Sequence, residues 1–151
     1  MFVQLTPRQQ GNLGEYSAVE WFMSKEMGPC VPIGHTSDYD LMAEVDGKAA
    51  RIQVKTSGCF RNDRWELTVC TRGGNRSWGG MAKHLDPARF EYLFVLVADG
   101  RRWLIPSTAL GGKTGLLVGG PKYAAFEIES GRPFQDRRCR NPASTIRAAT
   151  A

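Results

Sequence analysis

Bulky or small apolar residues recur every three to four positions in the stretch that opens the chain. Gly14, Ala18 and Phe22 fall four apart, Val19 and Met23 lie beside them, and Gly28-Pro29 ends the run. That period predicts a helix from Arg8 to Met27. Further on, the pattern changes to alternation. YDLMAEV (39–45) and KAARIQVKT (48–56) flank Asp46-Gly47, the dipeptide that suits a two-residue hairpin turn. WELTVCT (65–71) alternates in the same way, and EYLFVLVA (91–98) is apolar enough to predict a central strand buried on both faces. Asp99-Gly100 then turns the chain into WLIP (103–106). Two shorter strands are expected at Cys30–Ile33 and, as an edge, at Tyr123–Ile128. Between them the Gly-rich stretch 72–85 carries only one short helix, at its end (GGMAKHL), and the segment from Arg132 onward is expected to be mobile or docked on a partner.

Composition narrows the class. With 151 residues, 42% hydrophobic and 23% charged, the chain suits one globular domain over residues 1–131 with a basic C-terminal tail, 132–151. A disordered polyelectrolyte and a fibre are excluded. The longest purely apolar run, Leu93 to Ala98, falls far short of the ~20 residues a membrane helix needs. No secretory h-region opens the chain, and Cys30, Cys59, Cys70 and Cys139 are scattered without a CxxC pair. The expectation is therefore reduced thiols in a cytoplasmic protein, with neither a metal-thiolate site nor a disulfide framework.

Charge is unevenly spread. Residues 1–47 carry two basic and seven acidic side chains, whereas 48–84 carry eight basic and two acidic. An acidic segment suits a hard cation and a basic one suits phosphates. Arg61, Arg64, Arg72, Arg76 and Lys83 surround Trp65 and Trp78, a mixture fit for a phosphate-and-groove surface, with RGGNRSWGG (72–80) as a DNA-contacting loop. Solvated faces that merely differ in composition would look the same.

The hairpin focuses the chemistry. With Asp46 and Gly47 in the turn, Leu41 opposes Ile52 and Asp40 opposes Gln53. Leu41, Ala43, Val45, Ile52 and Val54 then share an apolar side, and Asp40, Met42, Glu44, Arg51, Gln53 and Lys55 share the other. Lys55 lies one pleat, about 7 Å, beyond Gln53. A carboxylate, an amide oxygen and an ammonium at this spacing suit metal-assisted phosphodiester cleavage. Asp40, Gln53 and the Val54 carbonyl would hold Mg²⁺, and Lys55 would serve the attacking water or the charge on phosphorus. A simply solvated outer face gives the same alternation. Glu44 shares the polar face but lies two pleats from Asp40, so it is expected to be solvated or paired with Arg51. His35 and His84, the only histidines, are not expected to act as general bases.

Asp40 and Gln53-Val54-Lys55 resemble the signature of the PD-(D/E)xK nuclease superfamily, an acid on one strand and (D/E)-x-K on the next. Gly11-Asn12-Leu13-Gly14-Glu15 at a helix start fits as well, and GNLGE, SDYDL and RIQVKT together look most like the group I intron-associated (homing) endonuclease branch. Gln53 replaces the usual acid, as that branch tolerates, and no proline precedes Asp40. The resemblance implies an α/β restriction-endonuclease-like core, a mixed β-sheet flanked by helices. It further implies catalytic residues Asp40, Gln53, Lys55 and Glu15, with Asp40, Gln53, Val54 and Glu15 on Mg²⁺ or its substitute Mn²⁺. Arg51, Thr56, Arg61, Arg64, Arg72, Arg76 and Lys83 would contact DNA. The activity implied is a metal-dependent DNA endonuclease working as a homodimer or homotetramer. A structure-selective Holliday-junction resolvase and a non-catalytic DNA-binding module with a degenerate site are the alternatives.

Overall fold

The computed structural model describes residues 5–34, 38–68, 70–72, 82–84, 86–111 and 115–134. Helix α1 spans Pro7–Ser24. Thr6 caps it: its hydroxyl accepts from the Gln9 N–H while the Gln9 side chain accepts from the Thr6 N–H, and Pro7 supplies a pre-set φ. The helix stops three residues short of the expected Met27, in a turn where Glu26 and Gly28 both take positive φ.

Ten strands follow: β1 Leu41–Val45, β2 Lys48–Ser57, β3 Phe60–Arg61, β4 Arg64–Thr68, β5 Cys70–Arg72, β6 Ala82–His84, β7 Tyr92–Val97, β8 Arg102–Pro106, β9 Gly115–Val118 and β10 Glu127–Ile128. The main sheet has the order β1-β2-β7-β8-β10, with β2 and β7 parallel and the other pairs antiparallel, so it is mixed. A smaller sheet, β3-β4-β9, and a β5–β6 ribbon complete the described strands. Asp46 and Gly47 adopt φ of 52° and 72°, the double left-handed turn that Asp-Gly favours, and the hairpin pairs Leu41 with Ile52 in the register read from the sequence. β7 is central, as its unbroken apolar run requires: Leu93 to Val97 are all at most 2% exposed.

Several expected elements differ. Cys30–Ile33 makes only an isolated bridge, Cys30 to Met42, and Val31 and Ile33 are exposed. Cys30 meets the edge strand β1, and the run extends no further along it. Ala82–His84 pairs with β5 as a strand instead of forming a short helix. Residues 121–126 form a 3₁₀ helix opened by Pro121, which leaves only Glu127–Ile128 for the edge strand. Trp65, expected on a basic surface, is 1% exposed and belongs to the core. The tail begins on the chain's own core: the Phe134 N–H donates to the Ala98 carbonyl and the Phe134 ring is buried. Gln135 onward, like His35, lies outside the described residues.

Helix α1 lies on the Val54–Phe94 side of the sheet, where Trp21 and Phe22 meet the Phe94 ring at 6.3 and 6.2 Å between centroids. Gly14 sets the approach. A Cβ there would sit 2.0 Å from Thr56 Oγ1 and 3.1 Å from Val54 Cγ1, so only glycine lets the helix come this close. An Ala in a helix normally gains about 1 kcal/mol over Gly. Gly11→Ala, where a methyl meets nothing within 4 Å, is expected to show that gain. Gly14→Ala is expected to reverse the sign and cost about 1–3 kcal/mol through overpacking, with Thr56→Ala in the same chain recovering part of it. Urea unfolding midpoints of the three variants check this, and equal stability of the two single variants would refute it.

Candidate active site

The site is built by a length mismatch between two strands. β1 begins at Leu41, whereas its neighbour β2 runs on to Ser57. In β2 the backbone groups of alternate residues point to alternate sides: Arg51 and Ser57 offer their carbonyls to the β7 side, and Ile52 offers its carbonyl to Asp40 N–H on the β1 side. Val54 therefore faces the β1 side at the point where β1 has no further residue to offer. Its N–H must find another acceptor. Asp40 Oδ2 supplies it at 2.7 Å.

The same oxygen accepts from Gln53 Nε2 at 2.5 Å, and Nε2 lies 3.5 Å from the Val54 carbonyl. A positively polarised amide group thus sits between two oxygens, one anionic and one neutral. Rotating that amide by half a turn would present Gln53 Oε1 to the same place, which gives three oxygens from adjacent positions. Such a hard, partly anionic donor set fits Mg²⁺ or Mn²⁺. Lys55, half-buried on the same side of β2, acts on the Asp40 carboxyl through its charge.

Burial dominates the electrostatics. Desolvation raises the Asp40 carboxyl above the usual carboxylate range, against the pull of the Val54 N–H, the Lys55 ammonium and the Gln53 amide. A neutral Gln at 53, in place of a second acid, avoids adding a like charge to a carboxylate already costly to ionise.

The remaining expected residues divide. Gly14 rests on Val54 and Thr56, and Glu15, exposed, is the next residue of α1. Lys55 and Arg61 line one open cavity of about 600 Å³ together with Thr56, Gln10, Cys59 and Glu66. Neither Gln10 nor Cys59 was marked by any sequence pattern. Thr56 Oγ1 is buried against Gly14 without a hydrogen-bond partner. Arg51 is engaged by its own chain. Its Nε and Nη2 donate to Glu91 at 2.6–3.2 Å, so it does not pair with Glu44, which is exposed. Arg64 packs against Gly120 and donates to the Asp63 carbonyl. Arg72 and Lys83 lie on β5 and β6, but their side chains, like all of Arg76 and most of the 72–80 loop, are outside the described residues.

Glu91 carries a pairing that no local pattern marks, since it lies 40 residues from Arg51. Its carboxyl is held below the usual range by the Arg51 hydrogen bonds.

The raised Asp40 carboxyl makes a signed prediction. Protonation of Asp40 favours the fold, so ionising it takes stability away as pH rises through the ordinary Asp pKa of about 3.9 and on through the higher folded value. Asp40→Asn is expected to raise the melting temperature at pH 7 by a few degrees. That advantage should shrink as the pH is lowered toward about 3.9. Thermal scans of both proteins across that range are the check, and an unchanged or lower melting temperature at neutral pH would contradict it.

A sequence model of the PD-(D/E)XK endonuclease family matches residues 5–114, which include α1, the hairpin and Lys55. The solved structure of a bacterial homing endonuclease, I-Ssp6803I, superposes with a TM-score of 0.70, covering 82% of this chain and 89% of that one at 15% sequence identity, a likeness of fold. No curated protein sequence matches. The mixed sheet with α1 on one face is a restriction-endonuclease-like α/β core, and the chain belongs to the PD-(D/E)XK endonuclease family.

Proposed function

We propose that the chain is a metal-dependent DNA endonuclease of the homing, intron-associated type, hydrolysing phosphodiester bonds with Mg²⁺, or with Mn²⁺ in its place. The observation that carries this reading is the meeting of the Asp40 carboxylate, the Gln53 side chain and the Val54 backbone at the uncovered edge of β2, with Lys55 one pleat on. Asp40 Oδ2, Gln53 Oε1 and the Val54 carbonyl would hold the ion. Glu15 is the fourth candidate: Gly14 places its helix directly behind Val54 and Thr56, and the edge it must reach round is the one β1 leaves open. When bound, the ion supplies Lewis acidity at the phosphate and a lowered pKa for a bound water.

The chain's own groups do the rest. Asp40 fixes the site to β2 through the Val54 N–H, so the carboxylate cannot swing away with a side-chain rotation. Lys55 offsets negative charge as it builds up on phosphorus and orients the attacking water. Arg61, which lines the open cavity with Lys55, would neutralise a neighbouring phosphate, and Thr56, Arg72, Arg76 and Lys83 are further candidate DNA contacts. The likeness to a homing endonuclease supports a double-stranded DNA substrate. A chain of 151 residues offers little contact area, so reading a long site calls for a homodimer or homotetramer, which sedimentation with and without DNA measures.

Nicking of supercoiled plasmid with and without Mg²⁺ tests the reading. Asp40→Ala and Lys55→Ala are each expected to lower the rate by about 100-fold or more while DNA binding persists. Cleavage of four-way junctions but not of linear duplex would favour a structure-selective resolvase. If parent and variants all bind DNA and none nicks it with Mg²⁺ or Mn²⁺, the chain is a DNA-binding module.

The neutral Gln53 gives a second prediction. Gln53→Glu sets two carboxylates side by side, so the metal-free protein is expected to melt lower at neutral pH and to gain more stability than the parent on adding Mg²⁺. Melting curves over a Mg²⁺ titration decide, and equal gains would count against Gln53 as a ligand.

A further inference from the structure

One short segment, 86–91, grips both the approach to β1, at Asp38, and β2 itself, at Arg51, from outside the site. Arg89 Nη1 donates to Asp38 Oδ2 at 2.6 Å, two residues ahead of Asp40. Glu91 takes the Arg51 guanidinium, with Nη2 at 2.6 Å, two residues ahead of Gln53. It also accepts the Arg51 N–H at 2.5 Å and returns its own N–H to the Arg51 carbonyl at 2.9 Å. Arg51 Nη2 reaches the Ala88 carbonyl as well, at 3.2 Å. The segment itself is stiffened at its start, where the Asp86 carboxylate caps Ala88 N–H and lies 3.6 Å from Arg89.

Resting on the nuclease reading above, we infer that Arg89 and Glu91 are positioning residues for the metal site, a two-armed clamp that sets the separation of Asp40 from Gln53. Neither side chain bonds to a proposed ligand. Each holds the residue two places before one, and on β2 that offset puts Arg51 on the same side as Gln53. The approach to Asp40 particularly needs such a hold. β1 starts only at Leu41, so residues 38–40 have no strand ladder of their own beyond the Asp40 N–H to Ile52 carbonyl bond. Arg89 supplies an anchor for that stretch, and Glu91 fixes the reference strand against β7. Groups that orient metal ligands typically contribute about 10–100-fold in affinity. Exposed ion pairs by contrast add little to stability, ~0–1 kcal/mol, so these variants are expected to fold.

The test measures Mn²⁺ binding to the full chain by calorimetry, with no turnover involved. Arg89→Ala and Glu91→Gln are each expected to raise the Mn²⁺ Kd by about tenfold, with Arg89→Lys recovering most of the loss. The Mg²⁺ concentration for half-maximal plasmid nicking should rise by a similar factor. Glu127→Gln is the control: it breaks the comparable Arg101 pair (2.7 and 2.8 Å), which ties β10 to the residue just before β8, and should leave both quantities unchanged. The clamp is overturned if the parent binds Mn²⁺ and both variants match it, or if Glu127→Gln weakens binding equally. A parent that binds no Mn²⁺ removes the metal site itself, and the clamp falls with it.

Discussion

A single carboxylate oxygen completes a β-ladder that the backbone leaves unfinished. Asp40 Oδ2 accepts the Val54 N–H where the next residue of β1 would otherwise have offered a carbonyl. A buried N–H without an acceptor costs roughly 1–3 kcal/mol, so the sheet itself requires an acceptor at this place. Side chain replaces main chain, and a negative charge stands where a neutral dipole would have been. The Gln53 amide and the Val54 carbonyl converge on the same point because the geometry of β2 puts them there. Fold and chemistry share one hydrogen bond.

That sharing has an electrostatic consequence. An acceptor needed for structure need not be charged, yet an ion-binding site needs the charge, and burial makes the charge costly. The chain limits the cost by giving Asp40 two hydrogen-bond donors and the nearby Lys55 ammonium, and by holding a neutral amide at 53. On the proposed function, a cation would offset this cost of burial, the usual trade between stability and activity.

The hairpin was legible because two independent signals agree. Asp-Gly fixes the turn, and alternation fixes the phase, so the pairing of Leu41 with Ile52 and the shared side of Asp40, Gln53 and Lys55 follow from local sequence alone. β7 was legible from its apolar run, and α1 from its period. Trp65 was misjudged because its charged neighbours in sequence were weighed above the alternation of Trp65 and Leu67, both buried in the structure. Cys30–Ile33 shows the converse error: a short apolar run met by β1 at one residue alone does not make a strand. The Arg51–Glu91 pair was not legible, since nothing local to position 51 points to position 91. Contacts that depend on β2 and β7 lying parallel can be seen only once the intervening strands have folded away from them.

The parallel pairing of β2 with β7 also explains why the site can be rigid although it sits at a sheet edge. Edge strands are ordinarily the least constrained part of a sheet, and here one edge neighbour stops short. Val54, however, is held from behind by Phe94 in register, from the α1 side by Gly14, and from the front by Asp40. Each hold comes from a different part of the sequence, so no single local segment can build the site. A match of 15% in sequence accompanied by a TM-score of 0.70 is what such a construction allows. Most core positions need only apolar volume, whereas close approach at Gly14 and acceptance at Asp40 demand particular residues.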